Sequence, residues 1–164
     1  MRKQKGFSLI ELLIVVAIIL IIAAIAIPNL LRSRMAANET SAVGSLRTIN
    51  TSNVTFFTTY GVGYALTYSQ LGPAAAGACP TPTATNSCLI DFQLVSAVDA
   101  AHAKSGYFFT YAGIGAAPNV SAYTVNGDTT ASGGNRAFFS DESGVIRQKT
   151  SSISGPGIAD SPIQ

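Results

Sequence analysis

The stretch KGFSLIELLIVVAIILIIAAIAIP limits what this chain can fold into more than any other part of it. Between residues 7 and 27 only Ser8 and Glu11 are polar, and residues 12–27 are unbroken apolar. A run of about 20 such residues is long enough to cross the hydrocarbon core of a bilayer as a helix. Arg2, Lys3 and Lys5 on the Met1 side predict that this end stays cytoplasmic and that the remainder of the chain is exported. An ionised carboxylate near the middle of a bilayer costs several kcal/mol, so Glu11 at the start of the run needs a physical reason. Pro28 lacks an N–H and is expected to bend or break the helix at its position.

Past that run, LLRSRMAANETSAVGSLRTINTSNVTFFTTYG becomes amphipathic. Leu31, Met35, Ala42, Leu46, Ile49 and Phe57 fall near one stripe at helical spacing, with Arg32, Arg34, Glu39 and Arg47 mostly elsewhere. Gly44 and the Thr- and Asn-rich stretch after Leu46 weaken the helical pattern towards its end. A helix over residues 7–60 would be on the order of 80 Å long at about 1.5 Å per residue. Residues 61–106 read as an irregular connection holding the cysteine loop and a short helix in FQLVSAVDAAHAK. The period then changes. GYFFTYAG, SAYTVNG, NRAFFSD and SGVIRQK are short, rich in aromatic and β-branched residues, and separated by turn residues, predicting about four antiparallel strands over residues 107–150. Asn126-Gly127-Asp128 and Asp141-Glu142-Ser143-Gly144 are the expected turns. The sheet's apolar face needs a cover, and the amphipathic half of the long helix is the large candidate. The tail, residues 151–164, is Gly-, Ser- and Pro-rich and expected to be loosely ordered. The class is α+β.

Charge excludes some functions. Only 11% of residues are charged, which suits an extracellular or assembled protein. Without the first six residues, seven basic and eight acidic residues remain, a balance of −1 with no basic cluster for nucleic acid. Cys79 and Cys88 sit close together in ACPTPTATNSC; a disulfide is expected if the segment is exported, the competing reading being half of a metal site without further ligands. No metal site and no cofactor are expected. The lone histidine, His102, has no triad or metal spacing around it and reads as a surface residue. Asp141, Glu142 and Asp128 read as turn residues, so no catalytic residue is assigned. Asn-x-Ser/Thr triplets such as Asn38-Glu39-Thr40 and Asn53-Val54-Thr55 are frequent by chance in a Ser/Thr-rich chain. Phe7, Phe56, Phe57 and Tyr60 invite a role in conduction, but helix and helix–sheet packing account for them more simply.

Three readings compete for the amino terminus. One is a secretory signal cut after Ala24-Ile25-Ala26, which would release a soluble periplasmic domain; the run is long for that, and an acid interrupts its start. Another is a plain signal anchor with Glu11 at the interface. The third rests on GFSLIELLIVVAIILIIAAIAIP, which resembles the class III signal and amino-terminal helix of type IV pilins and of the pseudopilins of type II secretion. The resemblance covers about the first 28 residues, Pro28 included as the helix-breaking position. It implies cleavage after Gly6, N-methylation of the new terminus Phe7, and Glu11 as the acid that sets register during assembly. A cation and a carboxylate brought together in low dielectric offset each other's desolvation, whereas either alone is costly.

The family implies a pilin-like division: leader 1–6, membrane and assembly half 7–28, amphipathic half 29–60, connection 61–106, sheet 107–150 and tail 151–164. It implies a helical homo-oligomeric filament, a prepilin peptidase and methyltransferase, and an inner-membrane platform with an assembly ATPase. The subunit is expected in the inner membrane with its carboxy-terminal domain periplasmic before assembly, and in a surface or periplasm-spanning filament afterwards. A pseudopilin is the alternative within the family; the single acid of the closing SSISGPGIADSPIQ argues mildly against the acidic calcium loop of the major pseudopilin type.

Overall fold

The computed structural model describes residues 7–79, 81–149 and 161–163. The chain is α+β: helix α1 (Leu9–Tyr60), a one-turn helix α2 (Phe92–Val95), and strands β1 (Tyr107–Ala116), β2 (Asn119–Thr129), β3 (Ala137–Asp141), β4 (Arg147–Lys149) and β5 (Ser161–Pro162). It divides into two compact units, Met1–Arg34 and Met35–Gln164.

The first unit is helix alone among its described residues, and every large apolar side chain in residues 9–31 is exposed. That exposure is as expected of a helix built for a lipid or helical surrounding. The expected break at Pro28 does not end the helix: residues on both sides are helical and Pro28 lies inside α1. One missing donor leaves the neighbouring turns bonded, and helix propagation across them carries the element through.

In the second unit, residues 35–60 of α1 lie against one face of the sheet, with Ala42, Leu46, Ile49 and Phe56 in the core. Phe56, not the expected Phe57, supplies the buried ring; Phe57 is 47% exposed. Glu39, placed off the apolar stripe by sequence, is also buried. Its Oε2 takes Arg136 Nε at 2.8 Å and Nη2 at 2.6 Å, and its Oε1 takes the backbone N–H of Asn135 at 2.8 Å. Gly134 leaves the necessary room, since a Cβ there would come within 2.8 Å of Glu39 Cγ. A buried carboxylate satisfied this fully is tolerated where an unpaired one would not be. The Thr-rich stretch is helical against one face of the domain, and its hydroxyls are satisfied within the helix. Thr40, Thr48, Thr51, Thr55 and Thr58 each donate to the carbonyl four residues back, at 2.9 to 3.1 Å.

The strands form an antiparallel meander in chain order, β1-β2-β3-β4-β5. Alternation along them sends Tyr107, Phe109, Tyr111, Tyr123, Val125 and Phe138 to the core face. The expected turn at Asn126-Gly127-Asp128 is instead the middle of β2, paired to β1 on one side, with Asn126 and Gly127 also paired to β3 on the other. Gly127 is a packing glycine: its partner is Phe109, whose ring edge would lie 3.2 Å from a Cβ there. The β1–β2 turn falls at Ala117-Pro118, a cis peptide. Asp141-Glu142-Ser143-Gly144 does connect β3 to β4, with Asp141 Oδ1 accepting the Ser143 N–H at 3.0 Å. Among the described residues there are five strands rather than four, because Ser161–Pro162 of the tail pairs with β4; residues 151–160 lie outside those described.

Two asparagines three apart on α1 join the helix to the sheet. Tyr123 Oη donates to Asn50 Oδ1 at 3.0 Å, and Asn50 Nδ2 donates to Ser140 Oγ at 2.7 Å. Tyr111 Oη lies 2.8 Å from Asn53 Oδ1 and 2.7 Å from the Ala65 carbonyl, and Asn53 Nδ2 donates to the Ile49 carbonyl at 3.1 Å. The connection covers the free edge of β1 through Phe109 N–H to Ala97 O at 2.7 Å and Gly113 N–H to Leu66 O at 3.3 Å, which removes an edge open to aggregation. In the same connection Cys79 and Cys88 are bridged, with Cα atoms 6.2 Å apart.

Asn50→Ala leaves the Tyr123 hydroxyl without its acceptor and Ser140 without a donor, and is expected to cost about 1–3 kcal/mol in thermal or denaturant unfolding. Replacing both cysteines with serine is expected to cost about 2–3 kcal/mol, as for closure of a loop this short, and the native chain should resist alkylation until reduced. Burial raises the hydroxyl pKa of Tyr68, Tyr111 and Tyr123, and pushes Tyr107 up to about 12. The fold therefore favours neutral tyrosine; that stability is complete below about pH 10 and drains away as pH rises past the folded values. At about pH 11, absorbance near the tyrosinate band should show Tyr68, Tyr111 and Tyr123 silent while the domain is folded, and all six tyrosines ionised after denaturation.

Candidate assembly site

Glu11 stands in the first turn of α1. Its Oε2 accepts the backbone N–H of Ser8 at 2.9 Å, and the Leu12 N–H donates to the Ser8 carbonyl at 3.3 Å. Ser8 is thus the N-cap and Glu11 the third helical residue, the acidic half of a capping box. The spacing Ser8-Leu9-Ile10-Glu11 before an apolar run carries that signal, although the sequence reading looks only for a partner outside the subunit. A carboxylate here also faces the positive end of the helix dipole. Phe7, just ahead of the cap, is 80% exposed. The Gly6–Phe7 junction falls at the edge of the described residues, with Gly6 outside them.

The remaining candidates sit in the second unit and do not form a catalytic cluster. His102 is exposed and its Nδ1 lies 2.8 Å from Asp99 Oδ1, which also accepts the N–H groups of Ala101 and His102. Those bonds from His102 hold the Asp99 carboxyl below its usual range. The arrangement is a cap on a short helical turn, legible in the Asp-x-x-His spacing. Asp141 organises its turn, and Asp128 lies in β2, where burial raises its carboxyl. Among the described residues no group of three His, Cys, Asp or Glu side chains is placed to hold a metal.

The Asn-x-Ser/Thr triplets divide by burial: Asn53 is fully buried and committed to the helix–sheet contact, while Asn38 is only partly covered. Of the aromatic residues raised for conduction, Phe7 is exposed while Phe56, Phe57 and Tyr60 pack locally. Phe56 contacts Tyr60 with ring centres 4.9 Å apart, and Phe57 contacts Tyr64 at 5.2 Å. Tyr64, Tyr123, Tyr111 and Tyr68 continue as ring neighbours at 5.1 to 5.7 Å through the core. No local pattern signals this stack, because its members come from the connection and two strands.

Residues 1–27 match the family model described as the prokaryotic N-terminal methylation motif. The chain is 68% identical over 40 residues to the type IV wide pilus major component of Thermus thermophilus, covering 24% of this chain and 30% of that protein. It is 46% identical over 55 residues to the type IV major pilin protein of Myxococcus xanthus, covering 34% and 25%. It is 46% identical over 43 residues to the type II secretion system core protein G of Vibrio cholerae serotype O1, covering 26% and 30%. The matched stretches thus span about a quarter to a third of these relatives' lengths. The likeness is therefore local: residues 1–27 carry the prokaryotic N-terminal methylation motif, and stretches of 40 to 55 residues are similar to two type IV pilus proteins and a type II secretion core protein.

Proposed function

We propose that this chain is a structural subunit, not an enzyme, of a type IV pilus-like filament, cut after Gly6 and polymerised through α1. The observation that carries the reading is the methylation motif over residues 1–27, set on a helix whose large apolar side chains at residues 9–31 are all exposed. The motif and the helix fit membrane anchoring before assembly. In the bilayer, lipid covers residues 9–31. In a filament, the same side chains cover one another in a helical bundle, so the surface is hidden from water in both states.

Cleavage would free the Phe7 amine four residues ahead of Glu11. In the uncut chain Glu11 is held by its own helix start, through the Ser8 N–H. On assembly the carboxylate meets the amine of a neighbouring subunit, a charge pair worth forming only where both partners are dehydrated together. A mismatched register leaves one charge buried alone, so the pair specifies position more than it adds stability. The peptidase, the methyltransferase, the membrane platform and its ATPase are the partners this reading requires.

A pseudopilin of a type II secretion system is the second reading, favoured by the match to the Vibrio core protein G. The acidic-loop test of that reading falls on residues outside those described.

The deciding experiment is the mass of the mature amino terminus from membranes and from sheared surface fibres, on the native chain and on Glu11→Ala. The native chain should begin at N-methylated Phe7 and be present in fibres. Glu11→Ala should be inserted and cut at the same bond yet give few or no fibres. A chain beginning at Ile27 would mean ordinary secretion and overturn the reading; normal fibre yield from Glu11→Ala would overturn the role of the carboxylate.

A further inference from the structure

We propose that Arg32 and Arg34 grip the phosphate groups of membrane lipids on the side of the bilayer away from the amino terminus, setting the depth at which the subunit waits. The inference rests on the membrane-anchored stage of the proposed function and names the chemistry that holds that stage.

Both arginines are exposed and helical, just past the apolar run and the Pro28-Asn29-Leu30-Leu31 that follows it. Among the described residues neither has a salt bridge; the two ion pairs there are Glu39 with Arg136 and Asp99 with His102. The helix offers them no counter-charge either. The residues three and four away from Arg32 are Pro28, Asn29, Met35 and Ala36, and those from Arg34 are Leu30, Leu31, Ala37 and Asn38. The first acid after Glu11 is Glu39, and its carboxylate is already filled by Arg136 and Asn135. Among the described residues two guanidinium groups are thus left without a paired anion.

Length decides which anion fits. Residues 12–31 rise by about 30 Å as a helix, which is about the thickness of the hydrocarbon core. With that run in the hydrocarbon and Glu11 at one boundary, Arg32 and Arg34 arrive at the headgroup layer of the other. A guanidinium presents a planar fork of N–H donors that matches a phosphate diester, and sheds water more readily than an ammonium. Its long stem can lie along apolar surface while the head reaches the phosphate plane. Two positions apart on a helix of 3.6 residues per turn, the side chains leave in nearly opposite directions, so each takes a different lipid. Basic residues normally concentrate on the cytoplasmic side; here Arg2, Lys3 and Lys5 stand at one end of the run and Arg32 and Arg34 at the other.

The test uses the full mature chain carrying Ser33→Cys, spin-labelled between the two arginines; Cys79 and Cys88 are bridged and leave no competing thiol. Collision of the label with oxygen and with a water-soluble nickel chelate reports its depth. Four samples are compared: the arginine chain in phospholipid bilayers, the same chain in phosphate-free galactolipid bilayers of matched acyl chains, Arg32→Gln/Arg34→Gln in phospholipid, and Arg32→Lys/Arg34→Lys in phospholipid. The label should read headgroup depth in the first sample. Its exposure to the chelate should change several-fold in the second and third, and the lysine pair should fall between. Equal readings in all four would overturn the inference, as would a reading that tracks protein-to-lipid ratio, the sign that carboxylates of a second copy hold the arginines. A chain that fails to resist alkaline extraction from the vesicles would overturn the anchored stage itself, which separates that failure from this one.

Discussion

The constraint on which everything else depends is that α1 must be a stable helix in surroundings the subunit does not supply. The large apolar side chains of its first 23 helical residues are all exposed among the described residues, and water is the one medium in which that surface is unfavourable. A backbone whose hydrogen bonds are all internal to the segment suits hydrocarbon and a packed bundle equally well. Such a run needs no polar pattern, and it has almost none. The two departures, Glu11 at the start and the arginine pair at the end, mark its boundaries, and each is a charge whose cost depends on what surrounds it.

The second half of the helix solves a different problem with different means. It covers one face of a sheet, so one side must be chosen and held. Leucine, isoleucine and alanine supply the area, but apolar contacts tolerate sliding and rotation. The choice is made by polar groups with single solutions: Asn50 and Asn53 against Tyr123 and Tyr111, and Glu39 against Arg136. Each is buried and satisfied, and each would be costly in any other register.

These same polar groups mark where sequence reading stops short. The apolar run, the change from helical to alternating period, the Asp141 turn and the Ser-x-x-Glu start are local patterns, visible because their causes lie within a few residues. Asn50 and Asn53 look like a weakening of the helical pattern and Glu39 like part of its polar side, since their partners are 58 to 97 residues away in sequence. Spacing admits either Phe56 or Phe57 at the edge of the stripe, and the covering sheet takes Phe56. Asn126-Gly127 has the chemistry of a turn, and only the ring of Phe109 across the strand explains why it is not one. At the amino terminus the cap joining Ser8 and Glu11 spans four consecutive residues, so its signal is local.

The two asparagine contacts also give the domain a mechanical character. A pull along the helix axis loads a greased surface, which by itself would creep, and two lateral pegs, which do not. Asn50 and Asn53 occupy successive turns and engage different strands, Tyr123 of β2 and Tyr111 of β1. Force on the helix is therefore passed to two neighbouring strands at once and shared through the ladder between them. The joint behaves as a keyed shaft in its hub, carrying shear through a few short bonds while the apolar packing around them keeps water out.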